Sequence, residues 1–579
     1  MNFKPKLSIN TITFSGGQTL TLDDYDKVLI VGPNNSGKSQ TLRDIMSVLQ
    51  DSSSQPIVIK DIEFKKEGTN QQLDEFIKKN GSYSNYAYNL GPARISQHEI
   101  ALWESSKAIY SLSSFFIKNI TAKERLNICD QQKSIAYQEP KTKPQHILYD
   151  DSELMEHVST TFKKAFNKDL AFDYRGGSNL PIYLIDKTEL PNTVDRVSNE
   201  YINVLRNNPL LDQQGDGIKG YAGILFETMG FRYDISLIDE PEAFLHPPQM
   251  RRLGYTLAQE VKGQLIVATH SSDIMRGFLE GTKGNLKILR IKYKDGSNII
   301  HEVNQDAIKE LWSKPNLRYS NALDGIFHEQ VIICEDDSDC RLINYVADYL
   351  TENNGKVYPD TSFVPSGGKH PIAGIVNIFK QTGVPVKAIY DFDLLSERNT
   401  FAKALDAFGC PTSTKESLLN LWSQINSEVL QKTKPKNNEE IKDELLKTLS
   451  QTPSDKISKS LLEDVFKQKK PWNEVKKHGV NGLPSGNIRG TFKELNQQLK
   501  KLGIYLVPVG EIENFSPETG LHGPNFVSKF LSERKLSDPE LRPLLEFVDE
   551  IYNGDIVLQE EKNLPIDGDK VAIDLANDE

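Results

Sequence analysis

Residues 27–42 read KVLIVGPNNSGKSQTL, an apolar run from Val28 to Val31 that feeds directly into Gly32-Pro-Asn-Asn-Ser-Gly37-Lys38-Ser39. The run reads as a buried strand and the stretch after it as an amphipathic helix. In that context the segment between them fits G-x-x-x-x-G-K-[ST]. Backbone N–H groups of such a loop turn inward around a polyphosphate, at the positive end of the helix that begins near Lys38. Gly32, Asn35 and Gly37 are therefore expected to line an ATP site. Lys38 would reach the β- and γ-phosphates, and the Ser39 hydroxyl would ligate Mg²⁺.

A loop of this kind needs a partner strand that carries a carboxylate. Ile235-Ser-Leu-Ile-Asp239-Glu240-Pro-Glu242-Ala-Phe-Leu-His246-Pro supplies it. Asp239 falls at the strand end, where it can hold the Mg²⁺ shell, and Glu240 follows as the candidate base for the attacking water. Another apolar strand, Gln264-Leu-Ile-Val-Ala-Thr-His270, ends in a histidine placed to contact a γ-phosphate.

A second set of acidic residues begins further along the chain. Gln330-Val-Ile-Ile-Cys-Glu335 is a short apolar strand ending in a carboxylate, followed by Asp336-Asp337-Ser338-Asp339. Apolar residues at Ile343, Val346, Ala347 and Leu350 then have the spacing of a helix with one buried face. Ser362 to Lys369 reads as strand and Ser-Gly-Gly-Lys loop, and Ile372, Ile375, Val376 and Phe379 give another amphipathic helix. A third strand, Val386 to Tyr390, ends in Asp391-Phe392-Asp393. Strands alternating with helices imply a parallel sheet, whose ligands sit at the carboxyl ends of the strands. Glu335, Asp339, Asp391 and Asp393 all fall at that edge. Hard divalent cations want several oxygen ligands, and two metals need shared carboxylates, so this set suits phosphoryl chemistry with one Mg²⁺ or Mn²⁺ activating water and a second stabilising the leaving 3′-oxygen.

The 579 residues suggest two to four domains, at roughly one per 150 residues. Lys plus Arg number 69 and Asp plus Glu 80, a net charge of −11, which argues against coating nucleic acid by bulk charge but leaves room for local basic grooves or a nuclease site built from carboxylates. Cys129, Cys334, Cys340 and Cys410 form no C-x-x-C pair, so neither a disulfide framework nor a structural zinc site is expected, and a reducing cytoplasm is the natural compartment. The N-terminus has no apolar h-region, and no stretch approaches the roughly 18 apolar residues of a spanning helix. No membrane partner is expected.

The first set of motifs resembles the ATPase heads of the ABC, SMC and RecF type, and specifically those of OLD-family (overcoming lysogenization defect) nucleases, whose heads carry the form LIDEPEAFLHP. In such heads a signature segment preceding that strand contacts the nucleotide of the opposite subunit. Gln213-Gln214-Gly215-Asp216-Gly217-Ile218-Lys219-Gly220 occupies the interval here, with Gly215 where a serine is usual. Gln97, Gln131 and Gln132 all fall in the interval of the Q-loop glutamine. The acidic set resembles the TOPRIM domain of topoisomerases, primases and OLD nucleases, with Glu335 as first motif, Asp391 and Asp393 as the D-x-D, and Asp339 at an acidic position of OLD-type enzymes. Asp336 stands where glycine usually follows the glutamate.

The resemblance implies a further acidic residue after a later strand, Glu513 with Glu511 as alternative, and a C-terminal lysine, for which Lys529 is the candidate beside Lys369. It also implies an α/β chain of two parts. An ABC/RecF-like head would span residues 1–322, with a helical insertion over about 80–200 that includes helices near Ala101–Ile117 and Glu153–Phe166. A TOPRIM domain would span 323–579, with an inserted helical region over about 411–500. That region carries a mixed charge run, with Lys467, Lys469 and Lys470 as possible guides for nucleic acid, and the acidic segment from Gln559 reads as poorly ordered.

The function implied is an ATP-regulated, metal-dependent DNA endonuclease of prokaryotic antiphage defence. It would assemble as a homodimer or higher oligomer through its heads and work with a helicase-like protein, as in Gabija systems, or with a reverse transcriptase and its RNA-linked DNA, as in retrons. The competing class is a RecF-like DNA-binding repair ATPase in which the TOPRIM fold only scaffolds. A topoisomerase would need a separate tyrosine nucleophile domain, and a primase a zinc-binding cysteine cluster.

Overall fold

A computed structural model describes residues 3–136, 139–190, 195–304, 321–432, 438–451 and 471–557, with 462 and 465 besides. Lys467, Lys469, Lys470 and the segment from Gln559 lie outside the described residues. The chain divides into two compact units, residues 1–329 with 378–384, and residues 330–377 with 385–579. No helix of the described residues is long and apolar enough to cross a membrane.

The first unit opens with β1 (Lys6–Phe14), β2 (Thr19–Thr21) and β3 (Lys27–Val31), then α1 (Lys38–Gln50) and β4 (Ile59–Glu67). Further on come β5 (Ile117–Ile120), α2 (Glu124–Ile128), α3 (Ser152–Phe166), α4 (Asp216–Gly230), β6 (Ile235–Asp239), α5 (Pro247–Glu260), β7 (Gln264–Ala268), α6 (Ser272–Thr282), β8 (Lys287–Lys294) and β9 (Ser297–Glu302). The main sheet runs β9-β8-β3-β7-β6-β5, parallel apart from β9, and β2-β1-β4 form a separate antiparallel sheet.

The central strands β3, β6 and β7 are buried on both faces, as a sheet covered on both sides requires. Val28, Ile30, Ile235, Leu237, Ile266, Leu289 and Ile291 alternate along their strands and pack with Leu42 and Ile45 of α1 and with Ile9, Ile12 and Ile62 of the antiparallel sheet. Each such side chain contributes about 1.5–3 kcal/mol by leaving water, which fixes the strand register and with it the edge on which β3, β6 and β7 end.

The expected helix over Glu153–Phe166 is α3, capped by the Asp151 side chain. Ala101–Ile117 is a correction, because it holds only short helical turns and Ile117 begins β5 at the edge of the main sheet. The Lys66 ammonium draws the Trp103 and Ser106 carbonyls, and the Trp103 indole donates to the Gly68 carbonyl, so tertiary partners replace helical hydrogen bonds there. Residues 80–200 are also mixed rather than helical: they hold the antiparallel strands Ser82–Ser84, Ala87–Leu90 and Ala93–Ile95, and the pair Asp169–Phe172 with Ile182–Ile185.

The second unit contains β10 (Gln330–Cys334), α7 (Asp337–Asn354) and β11 (Thr361–Pro365), followed by α8 (Lys369–Gln381) as far as residue 377 and by β12 (Val386–Tyr390). Next come α9 (Arg398–Ala407), α10 (Thr412–Lys432), α11 (Asn438–Gln451), α12 (Pro471–His478) and α13 (Asn487–Leu502). The last elements are β13 (Ile504–Leu506), α14 (Gly523–Glu533) and α15 (Arg542–Asn553). Its sheet runs β11-β10-β12-β13, all parallel. The helices α10 to α13 intervene between β12 and β13, and Ile343, Val346, Ala347 and Leu350 are buried along one face of α7.

Candidate functional site

In the first unit, β3 leads into the phosphate loop, and β7 lies between β3 and β6. The ends of β3, β6 and β7 therefore share one edge. Across it the Ser39 hydroxyl donates to Asp239 Oδ1 over 2.8 Å, joining the loop to the partner strand. Lys38 is buried and its ammonium donates to the Gly32 and Pro33 carbonyls at 2.8 and 2.7 Å, inside the loop it belongs to. Burial lowers the Lys38 pKa to about 8 against the opposing charges of Glu240, Glu242 and Asp239. Asn35 has a positive φ of 59° within the loop. Asn298 of β9 reaches in to hold the Ser36 carbonyl at 2.6 Å.

Burial raises the Asp239 carboxyl; the Ser39 hydroxyl pulls it back, and the Glu240 charge adds to the rise. Glu240 adopts a left-handed backbone with φ 46°, and its carboxylate lies 3.2 Å from His270 Nε2. Burial, followed by the Lys38 charge, lowers the His270 pKa and favours the neutral ring. Glu242 anchors the histidine's segment by accepting from the His270 amide at 2.6 Å and the Thr269 hydroxyl at 2.9 Å. The signature-like segment enters α4 with Gly215 at its N-cap. Of the three glutamines, Gln131 donates to Asp212 and Gln132 to the Asp130 carbonyl, while Gln97 begins a short helix.

One residue of this site carried no motif. Arg125 of α2 is 0% exposed, and its guanidinium donates to the carbonyls of Asp239 (3.1 Å) and Glu240 (2.8 Å).

In the second unit, Glu335 follows β10, Asp391 and Asp393 follow β12, and Glu511 and Glu513 follow β13. The Asp391 amide donates to Glu335 Oε1 over 3.0 Å, so the carboxylate of one strand end is oriented by the backbone of the next. Asp339, on the first turn of α7, accepts from the Asp336 amide at 3.0 Å as the second half of a capping box. Burial pushes Glu335 up to about 7, the Asp391 amide opposing and Asp393 adding. Asp339 also rises to about 7, by burial first and then through the charges of Glu513, Glu335 and Asp336, against the Asp336 amide. Asp391 rises to about 9, by burial first and then through Glu335, Asp339, Glu511 and Asp393. The charges of Glu513 and Glu335 thus bear on Asp339, and those of Glu335 and Asp339 on Asp391.

Glu513 Oε1 accepts from the Gly523 amide at 2.9 Å and lies 3.8 Å from His522 Nδ1. Ligand atoms of Glu511, Glu513 and His522 all lie within 4.8 Å of one another, so an imidazole that sequence reasoning missed stands beside both glutamates considered for this position.

The lysines divide differently from the expectation. Lys529 donates to the Thr519 carbonyl at 3.0 Å and lies 3.9 Å from Glu533, so its partners are on its own side of α14. Lys369 pairs with Asp393 at 3.2 Å and Glu397 at 2.9 Å. Lys476, which the sequence reading did not single out, bridges Asp393 at 3.2 Å and Glu511 at 2.9 Å. It comes from α12, whose Trp472 and Val475 are buried and whose C-terminal end is held to the acidic loop by Asn514, donating to the Lys477 carbonyl at 3.1 Å, and by Val480, donating to the Pro508 carbonyl at 2.9 Å.

Two family models match the chain: "AAA domain, putative AbiEii toxin, Type IV TA system" over residues 28–276, and "Overcoming lysogenization defect protein-like, TOPRIM domain" over residues 326–393. No curated protein matches it. Solved structures similar to it include an SMC head bound to the C-terminal winged-helix domain of ScpA, 15% identical over 52% of this chain and 99% of that one, with a TM-score of 0.31. An SMC head with an extended coiled coil from Pyrococcus furiosus is 14% identical over 53% of this chain and 98% of that one, TM-score 0.30. The SMC head from Thermotoga maritima is 14% identical over 52% of this chain and 100% of that one, TM-score 0.28. The chain carries an AAA-type ATPase domain followed by an OLD-like TOPRIM domain, an order consistent with the OLD-family nucleases.

Proposed function

We propose that the protein is an ATP-regulated, divalent-metal-dependent DNA endonuclease acting in prokaryotic antiphage defence, with DNA as substrate and a second copy of the chain joined through the ATPase heads. The observation that carries the reading is the gathering of Glu335 and Asp391 at the ends of neighbouring parallel strands, joined by the Asp391 amide at 3.0 Å, with the half-buried Asp339 on the first turn of α7 beside them. Carboxylates so placed cost stability unless cations neutralise them, and an all-oxygen set suits Mg²⁺ or Mn²⁺. Glu335, Asp339, Asp391, Asp393 and Glu513 would hold the metal, which supplies Lewis-acid activation of water and charge neutralisation when bound.

The chain's own residues do the rest. The Asp391 amide fixes the Glu335 carboxylate, the Gly523 amide fixes Glu513, and Lys369 and Lys476 bring positive charge to the edge where a phosphodiester would lie. In the head, the loop amides and Lys38 would bind the polyphosphate of ATP. Ser39 and Asp239 would hold its Mg²⁺, and Glu240 with His270 would orient water at the γ-phosphate. The defence role, with a helicase-like protein or a reverse transcriptase as partner, is part of the same proposal and rests on the resemblance to OLD-type nucleases of Gabija and retron systems.

Incubating the purified protein and its Asp391→Ala/Asp393→Ala variant with supercoiled plasmid, Mg²⁺ or Mn²⁺, and with or without ATP, tests the reading. Nicking or linearisation that vanishes in the variant is expected. Cleavage that persists in the variant refutes the site, and DNA binding without cleavage under every condition favours the RecF-like repair ATPase.

A further inference from the structure

Glu240 is held in a strained place. A left-handed φ of 46° is disfavoured for a glutamate, costing on the order of 1–2 kcal/mol, so neighbours must impose it. Its amide donates to the Ala268 carbonyl at 2.9 Å, its carbonyl accepts from Arg125 at 2.8 Å, and its side chain meets His270. Of these neighbours, Arg125 holds the carbonyls of both peptide units that flank Glu240. Among the described residues its guanidinium makes no ion pair, and Nε has no hydrogen-bond partner. Its buried charge is met by those two carbonyls and, through space, by Glu242, Glu240 and Asp239.

The same arginine is packed against α4. A Cβ at Gly223 would stand 2.3 Å from the Arg125 carbonyl, and one at Gly217 would stand 2.4 Å from the Phe244 carbonyl. The backbone of α4 thus touches both supports of Glu240: the Arg125 segment and the turn after Glu240. That turn is closed by the Ala243 amide donating to the Glu240 carbonyl and the Leu245 amide donating to the Glu242 carbonyl. With backbone against backbone there is no flexible side chain to absorb a shift of the helix.

We infer that Arg125 is a positioning residue for ATP hydrolysis, which clamps the Asp239–Glu240 peptide so that the Glu240 carboxylate faces its water, and which carries displacements of α4 to that carboxylate. The inference rests on the reading of Glu240 as the group that orients the water. A lysine would keep the charge but lose the planar fork that reaches two carbonyls at once.

The test uses the full chain as wild type, R125A, R125K and E240Q, measuring ATP affinity, Tm, and kcat and KM for ATP hydrolysis. Hydrolysis by the wild type that is lost in E240Q is the precondition. Given that, R125A and R125K are expected to lose kcat on the order of 10²-fold, the scale of a mispositioned general base, with ATP affinity close to wild type, while Tm falls in R125A because two buried carbonyls lose their donor. Millimolar ethylguanidinium should restore kcat to R125A, and ethylammonium should not. If R125A does not fold, the split between kcat and affinity in R125K decides. Unchanged kcat in the variants overturns the inference, as does a parallel fall of kcat, affinity and Tm without rescue, which would make Arg125 a packing residue. If the wild type hydrolyses no ATP, or E240Q keeps the full rate, the reading of Glu240 itself fails, a result visible without the arginine variants.

Discussion

The Asp391 amide donates to Glu335 Oε1 over 3.0 Å, so Glu335 takes its orientation from the backbone of the residue with which, in the proposed function, it would share a cation. The two carboxyl groups also repel each other, and Asp391 is pushed up to about 9, first by burial and then by Glu335. A folded-state pKa above the unfolded one means that the folded chain binds more protons, and stability falls as pH rises from about 4 towards 9. Asp391→Asn should therefore stabilise the metal-free protein by on the order of 1–3 kcal/mol at pH 8 and less at pH 5, while abolishing cleavage. Urea midpoints in EDTA at the two pH values check this. A gain that shrinks as pH rises contradicts the repulsion.

In the proposed function the two units carry separable chemistry. Lys38→Ala removes the ammonium from the phosphate loop and should weaken ATP binding on the order of 10²-fold, the worth of one or two charge-assisted hydrogen bonds, and with it nucleotide control of cleavage. Asp391→Ala should bind ATP like the wild type and cleave nothing. Binding of a fluorescent ATP analogue and plasmid nicking, measured on both variants, check the pair; equal loss of both activities in each variant contradicts two sites.

The residues that could be read from the sequence are those whose chemistry demands a residue type at a fixed place beside an apolar strand. Lys38 and Ser39 after β3, Asp239 at the end of β6, and Glu335 and Asp391 after β10 and β12 fall in this group, because a strand end is a fixed place and local spacing reveals it. Arg125 and Lys476 were hidden for the opposite reason. Each acts through partners far along the chain, Asp239 for one and Asp393 and Glu511 for the other, and neither sits in a local pattern. Ala101–Ile117 misled because apolar residues at Ile109, Leu112 and Phe116 mimic a helical stripe. Lys66 and Gly68, brought in by β4 and the turn after it, take the polar groups of Trp103 and Ser106 instead.

Lys476 reaches Asp393 and Glu511 from α12, whereas Lys529 bonds the Thr519 carbonyl. A cation in the first position offsets charge that develops on a phosphodiester held at the acidic edge. Lys476→Ala should slow single-turnover cleavage about 10- to 100-fold, the scale of one lost electrostatic contact, and Lys529→Ala should change it little. The reverse order would return the site lysine to α14.

Lys387 gives a test of the fold that is independent of any ligand. Its ammonium donates to the Ile551 and Tyr552 carbonyls at 2.6 and 3.0 Å, near the end of α15, where a helix leaves its last carbonyls without partners. Burial lowers its pKa to about 8, against the opposing charge of Asp555, while the unfolded chain keeps the proton to about 10.4. Between those values the unfolded state holds more protons, so this lysine's contribution to stability rises with pH across that window. Lys387→Met keeps the apolar stem but strands both carbonyls, at about 1–3 kcal/mol for each buried group left unpaired. The variant should be clearly less stable than wild type at pH 10, with the gap narrowing towards pH 7, because below pH 8 the wild type bears the cost of a buried charge that methionine lacks. The other buried lysines titrate alike in both proteins and cancel in the difference. Urea midpoints of the two proteins at pH 7 and pH 10 decide it: a gap that does not change with pH would mean that Lys387 keeps an ordinary pKa, and that its burial beneath α15 is looser than these contacts imply.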